Sequence, residues 1–124
     1  MNPQQQTRHK YLINCQEGAS NVERATISLI LATSASKDNE AVMFLTSDAA
    51  PLCVKGGVDG LSADGMEPMT TLIEQFIGNG GRMWLCPICA KVHGISESDL
   101  IEGAEIAGAP KTMAYLEAGG KVLA

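Results

Sequence analysis

Three short apolar runs, KYLINC (10–15), EAVMFLTS (40–47) and RMWLC (82–86), are too short for buried helices and show no clean alternation of apolar and polar residues. Runs of that kind suit strands covered on both faces, the environment of a parallel sheet flanked by helices. The segments between them carry helix signals. After the first run, Ser20 stands three residues ahead of Glu23 as a capping box, and Val22, Ala25, Ile27, Leu29, Ile30 and Ala32 follow as a broad apolar face. After the second, AAPLCVKGGVDGLSADG reads as a helical turn and then a glycine-rich loop. Pro68 next suits the first turn of a helix whose Met69, Leu72, Ile73, Phe76 and Ile77 share one face until GNGG stops it.

The pattern continues beyond the third run. SESDLIEG (96–103) pairs Ser96 with Asp99 in a second capping box, enough for one or two turns. AEIAG (104–108) reads as a fourth strand, APKTMAYLEAGG (109–120) as a helix closed by glycines, and KVLA (121–124) as a fifth strand. Such alternation predicts an α/β fold of three layers: a five-stranded parallel sheet with helices on both faces, joined by right-handed crossovers. Residues 1–9 read as a flexible tail and 10–124 as a single domain.

Charge and hydropathy narrow the function classes. A net charge of -5 with only nine scattered Lys and Arg argues against a nucleic-acid partner. No stretch approaches the roughly 18 apolar residues of a membrane span, and the opening residues carry no apolar signal core. A cytoplasmic address without membrane attachment is the expectation. Gly56, Gly57, Gly60 and Gly65 lack a P-loop ending, so their loop reads as a connector or a lid. Trp84, Met66, Met69 and Met83 read as core or subunit interface and call for no cofactor.

The chemistry lies with the cysteines. Ligands of open parallel sheets bind outside the carboxyl ends of the strands. Cys15 ends the first strand, Cys53 follows the second, Cys86 ends the third, and Cys89 stands one turn beyond Cys86. A zinc site would need a second ligand pair that Cys15, Cys53 and His93 do not provide at the usual spacing, so no metal is expected. A redox dithiol fits CPIC itself, although here the motif follows the third strand, unlike its place in thioredoxin-like enzymes. A persulfide carrier requires a partly exposed cysteine of low pKa at a groove, and Cys86 meets the positional requirement, with Lys91 and His93 near enough in sequence to favour its anion. Cys15 and Cys53 read first as small core hydrophobes. Cys53 stays a supporting candidate beside His93 and Asn14, the latter at the end of the first strand.

The stretch LCPICAKVHGISESDLIEGAEIAGA (85–109) resembles the C-terminal half of DsrE/DsrF-like proteins, and the opening strand and helix fit the same pattern. The resemblance implies a small cytoplasmic subunit with a five-stranded parallel sheet, forming homotrimers or homohexamers and related to sulfur-relay proteins. It places the working thiol at Cys86, with Cys89 an extra thiol. The implied partners are sulfur donor and acceptor proteins. A dithiol redox protein using both cysteines, or an oligomeric scaffold with inert thiols, remains the alternative.

Overall fold

Each apolar run becomes a strand: β1 (Lys10–Cys15), β2 (Glu40–Leu45), β3 (Arg82–Leu85), β4 (Ala104–Ile106) and β5 (Gly120–Leu123). The computed structural model describes residues 8–123. Residues 1–7 of the expected tail, and Ala124 at the end of the expected fifth strand, lie outside the described residues. His9 already abuts the sheet, its carbonyl accepting from the Glu40 N–H at 3.0 Å.

All four strand pairs are parallel, in the order β4-β3-β2-β1-β5. Helices α1 (Val22–Ser36), α2 (Met69–Gly78) and α3 (Pro87–Val92) lie in the connections that step from β1 to β4 in one direction. Helix α4 (Ala109–Glu117) lies in the one connection that steps back, across the sheet to the far side of β1. Right-handed crossovers turn that reversal into a layer rule, because helices of opposite stepping direction land on opposite faces. The packing follows it. Ile13, Met43, Met83 and Leu85 are fully buried in the core that α1 and α2 close with Leu29, Leu72 and Phe76. Leu12, Val42 and Trp84 point to the other face, where Tyr115 and Leu116 of α4 cover them. Burying each large apolar side chain contributes roughly 2 kcal/mol.

Helix α4 is pinned as well as packed. The Trp84 and Tyr115 rings meet edge to face at 5.5 Å, the Tyr115 hydroxyl donates to the Tyr11 carbonyl at 3.3 Å, and Lys111 bridges Glu105 at 2.6 Å while lying over the Trp84 ring.

Three sequence expectations are corrected. Asn21, not Ser20, caps α1, its side chain accepting from the Arg24 N–H at 3.2 Å. Ser20 lies one residue earlier in a 3-10 turn (Ala19–Asn21) and its hydroxyl donates instead to Asp48 at 2.8 Å. Ala25, Leu29 and Ala32 of α1 are buried in the core and Val22 packs against it, while Ile27 and Ile30 are exposed. Finally, β2 stops at Leu45, and Ser47 opens a 3-10 helix (Ser47–Cys53) instead of ending the strand. The Ser96–Asp99 box forms as expected, around one 3-10 turn (Glu97–Asp99), with the Ser96 N–H donating to the Asp99 carboxylate at 2.8 Å.

Candidate functional site

The strand ladder places Cys86. Its N–H donates to the Leu45 carbonyl at 3.0 Å, so the β2–β3 pairing carries on to the first residue beyond β3. Pro87 then starts α3 with a fixed φ, and Cys86 becomes the residue that caps it. Gly108 backs this turn: a Cβ there would meet the Pro87 ring at 3.1 Å. The Cys86 thiol is half-buried. Burial raises its pKa, but the N–H groups of Cys89 and Ile88 and the Cys89 side chain outweigh that cost and hold it below the ordinary thiol range. The anion is therefore favoured by donors within the first turn of α3. Lys91 and His93, expected from the sequence to lower this pKa, have no part in it. Both lie toward the other end of the helix, where His93 is an exposed C-cap.

Cys89 stands one turn beyond Cys86 on α3 and is itself half-buried. Its own sulfur accepts from the Ser47 N–H at 3.2 Å. Ser47 can aim that N–H because its backbone is left-handed, with φ 52°; every other described residue with positive φ is a glycine. A non-glycine side chain in that region costs on the order of 1 kcal/mol. Two contacts from the β1–α1 junction brace the segment: Gly18 comes so close that a Cβ would stand 2.0 Å from the Asp48 carbonyl oxygen, and Ser20 bonds the Asp48 carboxylate. Ser47 is the site residue that sequence reasoning missed.

The other candidates do not converge on Cys86. Cys53 is fully buried; its thiol donates to the Ala50 carbonyl at 3.3 Å, and burial pushes its pKa up to about 12. Cys15 is buried too, with its pKa raised by burial and its thiol donating to the Glu17 carbonyl. Asn14 lies two strands from Cys86, at a separate concavity of 290 Å³ shared with Glu17 and Arg24. The glycine-rich loop is anchored, not loose: Val58 enters the core, the Lys55 N–H donates to the Asp99 carbonyl at 2.9 Å, and Val54 bridges Leu100. With α2 the loop lines an apolar groove of 470 Å³ that includes none of the four cysteines. Among the described residues, no three His, Cys, Asp or Glu side chains come together as a metal cage.

The model of the DsrE/DsrF-like family matches residues 9–124, the whole of the sheet described above. The chain belongs to the DsrE/DsrF-like family. An uncharacterized protein of Methanocaldococcus jannaschii is 34% identical over 107 residues, 86% of this chain. A second, from Methanopyrus kandleri, is 37% identical over 86 residues, 68% of each chain. This chain spans 38% of the length of the M. jannaschii relative. Among solved structures, the ychN protein from E. coli superposes with a TM-score of 0.75 at 24% identity, covering 93% of this chain and 97% of that one. A protein of unknown function from Methanobacterium thermoautotrophicum superposes at 0.61 with 14% identity, covering 94% and 96%. At those identities the two structures speak for the fold, a five-stranded parallel DsrE-like sheet. No helix among the described residues is long and apolar enough to cross a membrane.

Proposed function

We propose that this DsrE/DsrF-like protein is a cytoplasmic sulfur carrier or sulfurtransferase subunit, which holds sulfane sulfur as a persulfide on Cys86 and passes it to a partner protein. The observation that carries this reading is the contrast among four thiols. Cys15 and Cys53 are buried with raised pKa values, whereas Cys86 is half-exposed at the carboxyl edge of the sheet and disposed to ionise. A thiolate is the species that attacks a sulfane donor, and a persulfide at that edge stands where an acceptor can reach it. Family membership supports a sulfur-relay role.

Mass spectrometry after exposure to polysulfide or thiosulfate tests the proposal. Wild-type protein gains sulfur at Cys86, Cys86→Ser gains none, and Cys89→Ser still loads. Equal loading of wild type and Cys86→Ser would move the chemistry to another thiol. The nearness of Cys89 to Cys86 also favours a second reading, dithiol–disulfide exchange with a protein substrate. Under that reading Cys86 forms mixed disulfides with a peptide disulfide but acquires no sulfur from polysulfide.

A further inference from the structure

Cys86 and Cys89 stand one helical turn apart, a separation at which their α-carbons lie within reach of a disulfide. The Ser47 N–H donates to Cys89 Sγ at 3.2 Å and fixes that sulfur one turn along the helix from Cys86. A thiol placed only to fill space needs no such donor. Here the chain keeps a left-handed serine at the start of the 3-10 helix after β2, with its N–H on that sulfur. The turn carrying the pair is also held from behind, by Pro87 against Gly108.

We propose that sulfur loaded on Cys86, when no acceptor protein takes it, is discharged within the protein, the Cys89 thiol held by Ser47 attacking the inner sulfur of the Cys86 persulfide and expelling hydrosulfide. This rests on the carrier reading above. Cys89 Sγ forms a bond to Cys86 Sγ, the bond between Cys86 Sγ and the terminal sulfur breaks, and the Cys89 proton leaves on that terminal sulfur. One persulfide anion and one thiol become one disulfide and one hydrosulfide anion, so charge and atoms balance. The sulfane sulfur is reduced and the two cysteine sulfurs are oxidised, with no outside oxidant. A dithiol reductant then reopens the disulfide for another cycle. Ser47 acts through Cys89 and is a positioning residue.

The test uses whole protein loaded with polysulfide without oxygen, then freed of excess reagent. Hydrosulfide is trapped with a bimane reagent while peptide mapping follows Cys86 and Cys89. Wild type should lose its added sulfur as hydrosulfide and gain one Cys86–Cys89 disulfide for each hydrosulfide, while unloaded protein gains none. Cys89→Ser and Cys89→Ala should keep the persulfide on Cys86. Ser47→Gly, which retains both the N–H and the left-handed backbone, should release at the wild-type rate, and Ser47→Val, followed from whatever sulfur it has loaded, should slow release roughly tenfold by misplacing Cys89. If Cys89→Ser never loads Cys86 and wild type yields neither persulfide nor hydrosulfide, the carrier reading itself fails. If wild type loads but holds sulfur as long as Cys89→Ser, or if the sulfur reappears on Cys89, internal discharge is overturned. Wild-type release from Ser47→Val would remove Ser47 from the mechanism.

Discussion

Burial separates four side chains of identical chemistry, and it sets two pH dependences that can be measured. At Cys86 the local N–H donors overcome the cost of burial, so its alkylation by iodoacetamide should reach half-maximal rate below the ordinary thiol value of 9.0. In the same digest Cys15 and Cys53 should stay unmodified until the protein unfolds; a midpoint at or above 9.0 for Cys86 would contradict the donor arrangement. Cys53 works in the opposite sense. The folded chain keeps its proton up to about 12, whereas the unfolded chain releases it near 9.0. Its contribution to stability is therefore complete below pH 9.0 and is lost as pH rises toward 12. Urea unfolding across that window should show a falling stability that Cys53→Ala makes shallower, Cys15 with its own raised pKa keeping part of the slope, at a cost of about 1 kcal/mol at neutral pH for the lost packing. Tyr115, raised from 10.0 to about 12 by burial, adds to the slope only in its upper part. An unchanged slope in Cys53→Ala would show that this thiol titrates freely. The strand-end positions of Cys15 and Cys86 were legible in the sequence, because strand ends can be read from apolar runs. Ser47 was not: a left-handed serine looks like any other serine until the chain path around it is known.

The caps give a sharp contrast among the elements. Ser20 with Glu23 has the letters of a capping box, yet Asn21 accepts the Arg24 N–H and Ser20 is drawn away to Asp48. Asn21→Ala should therefore lower the unfolding free energy by about 1 kcal/mol, and Ser20→Ala by less, since it loses only an exposed side-chain bond. Denaturant titration of the two variants decides the order, and a larger loss in Ser20→Ala would restore the box. The misreading has a physical source. A capping motif is local, whereas Asp48 competes for Ser20 only after β1 and β2 have paired. The apolar breadth of α1 is a similar case. Its sequence offers a wide face, but a helix lying on a sheet presents one stripe to it, so Ala25, Leu29 and Ala32 are buried while Ile27, Ile30 and Leu31 face outward. Strand positions and the parallel sheet were readable because short, doubly apolar runs admit few other homes. The three-to-one division of helices between the faces was not, since it depends on which side of β1 the final strand takes.

At the scale of the molecule, the outward apolar residues bear on assembly. Ile88 and Val92 of α3 are 74% and 77% exposed, on the helix that carries both site cysteines, and Met113 of α4 is also largely exposed. Apolar residues displayed on several helices suit a closed assembly, and a homotrimer, or a hexamer of two trimers, is the expected state in solution. Light scattering should report it, and a monomer at micromolar concentration would refute it. The sheet order has a consequence in time. β1 lies between β2 and β5, with Lys10 in register against Gly120. A strand near the start of the chain thus waits for one near the end. While a ribosome extends the chain, β1 can pair with β2 as soon as α1 is out, but its other flank keeps open backbone groups until α4 has crossed the sheet and β5 arrives. Closing so long a loop is entropically slow. Through that interval the strand that will be shielded on both sides is a free edge, open to any neighbouring nascent chain.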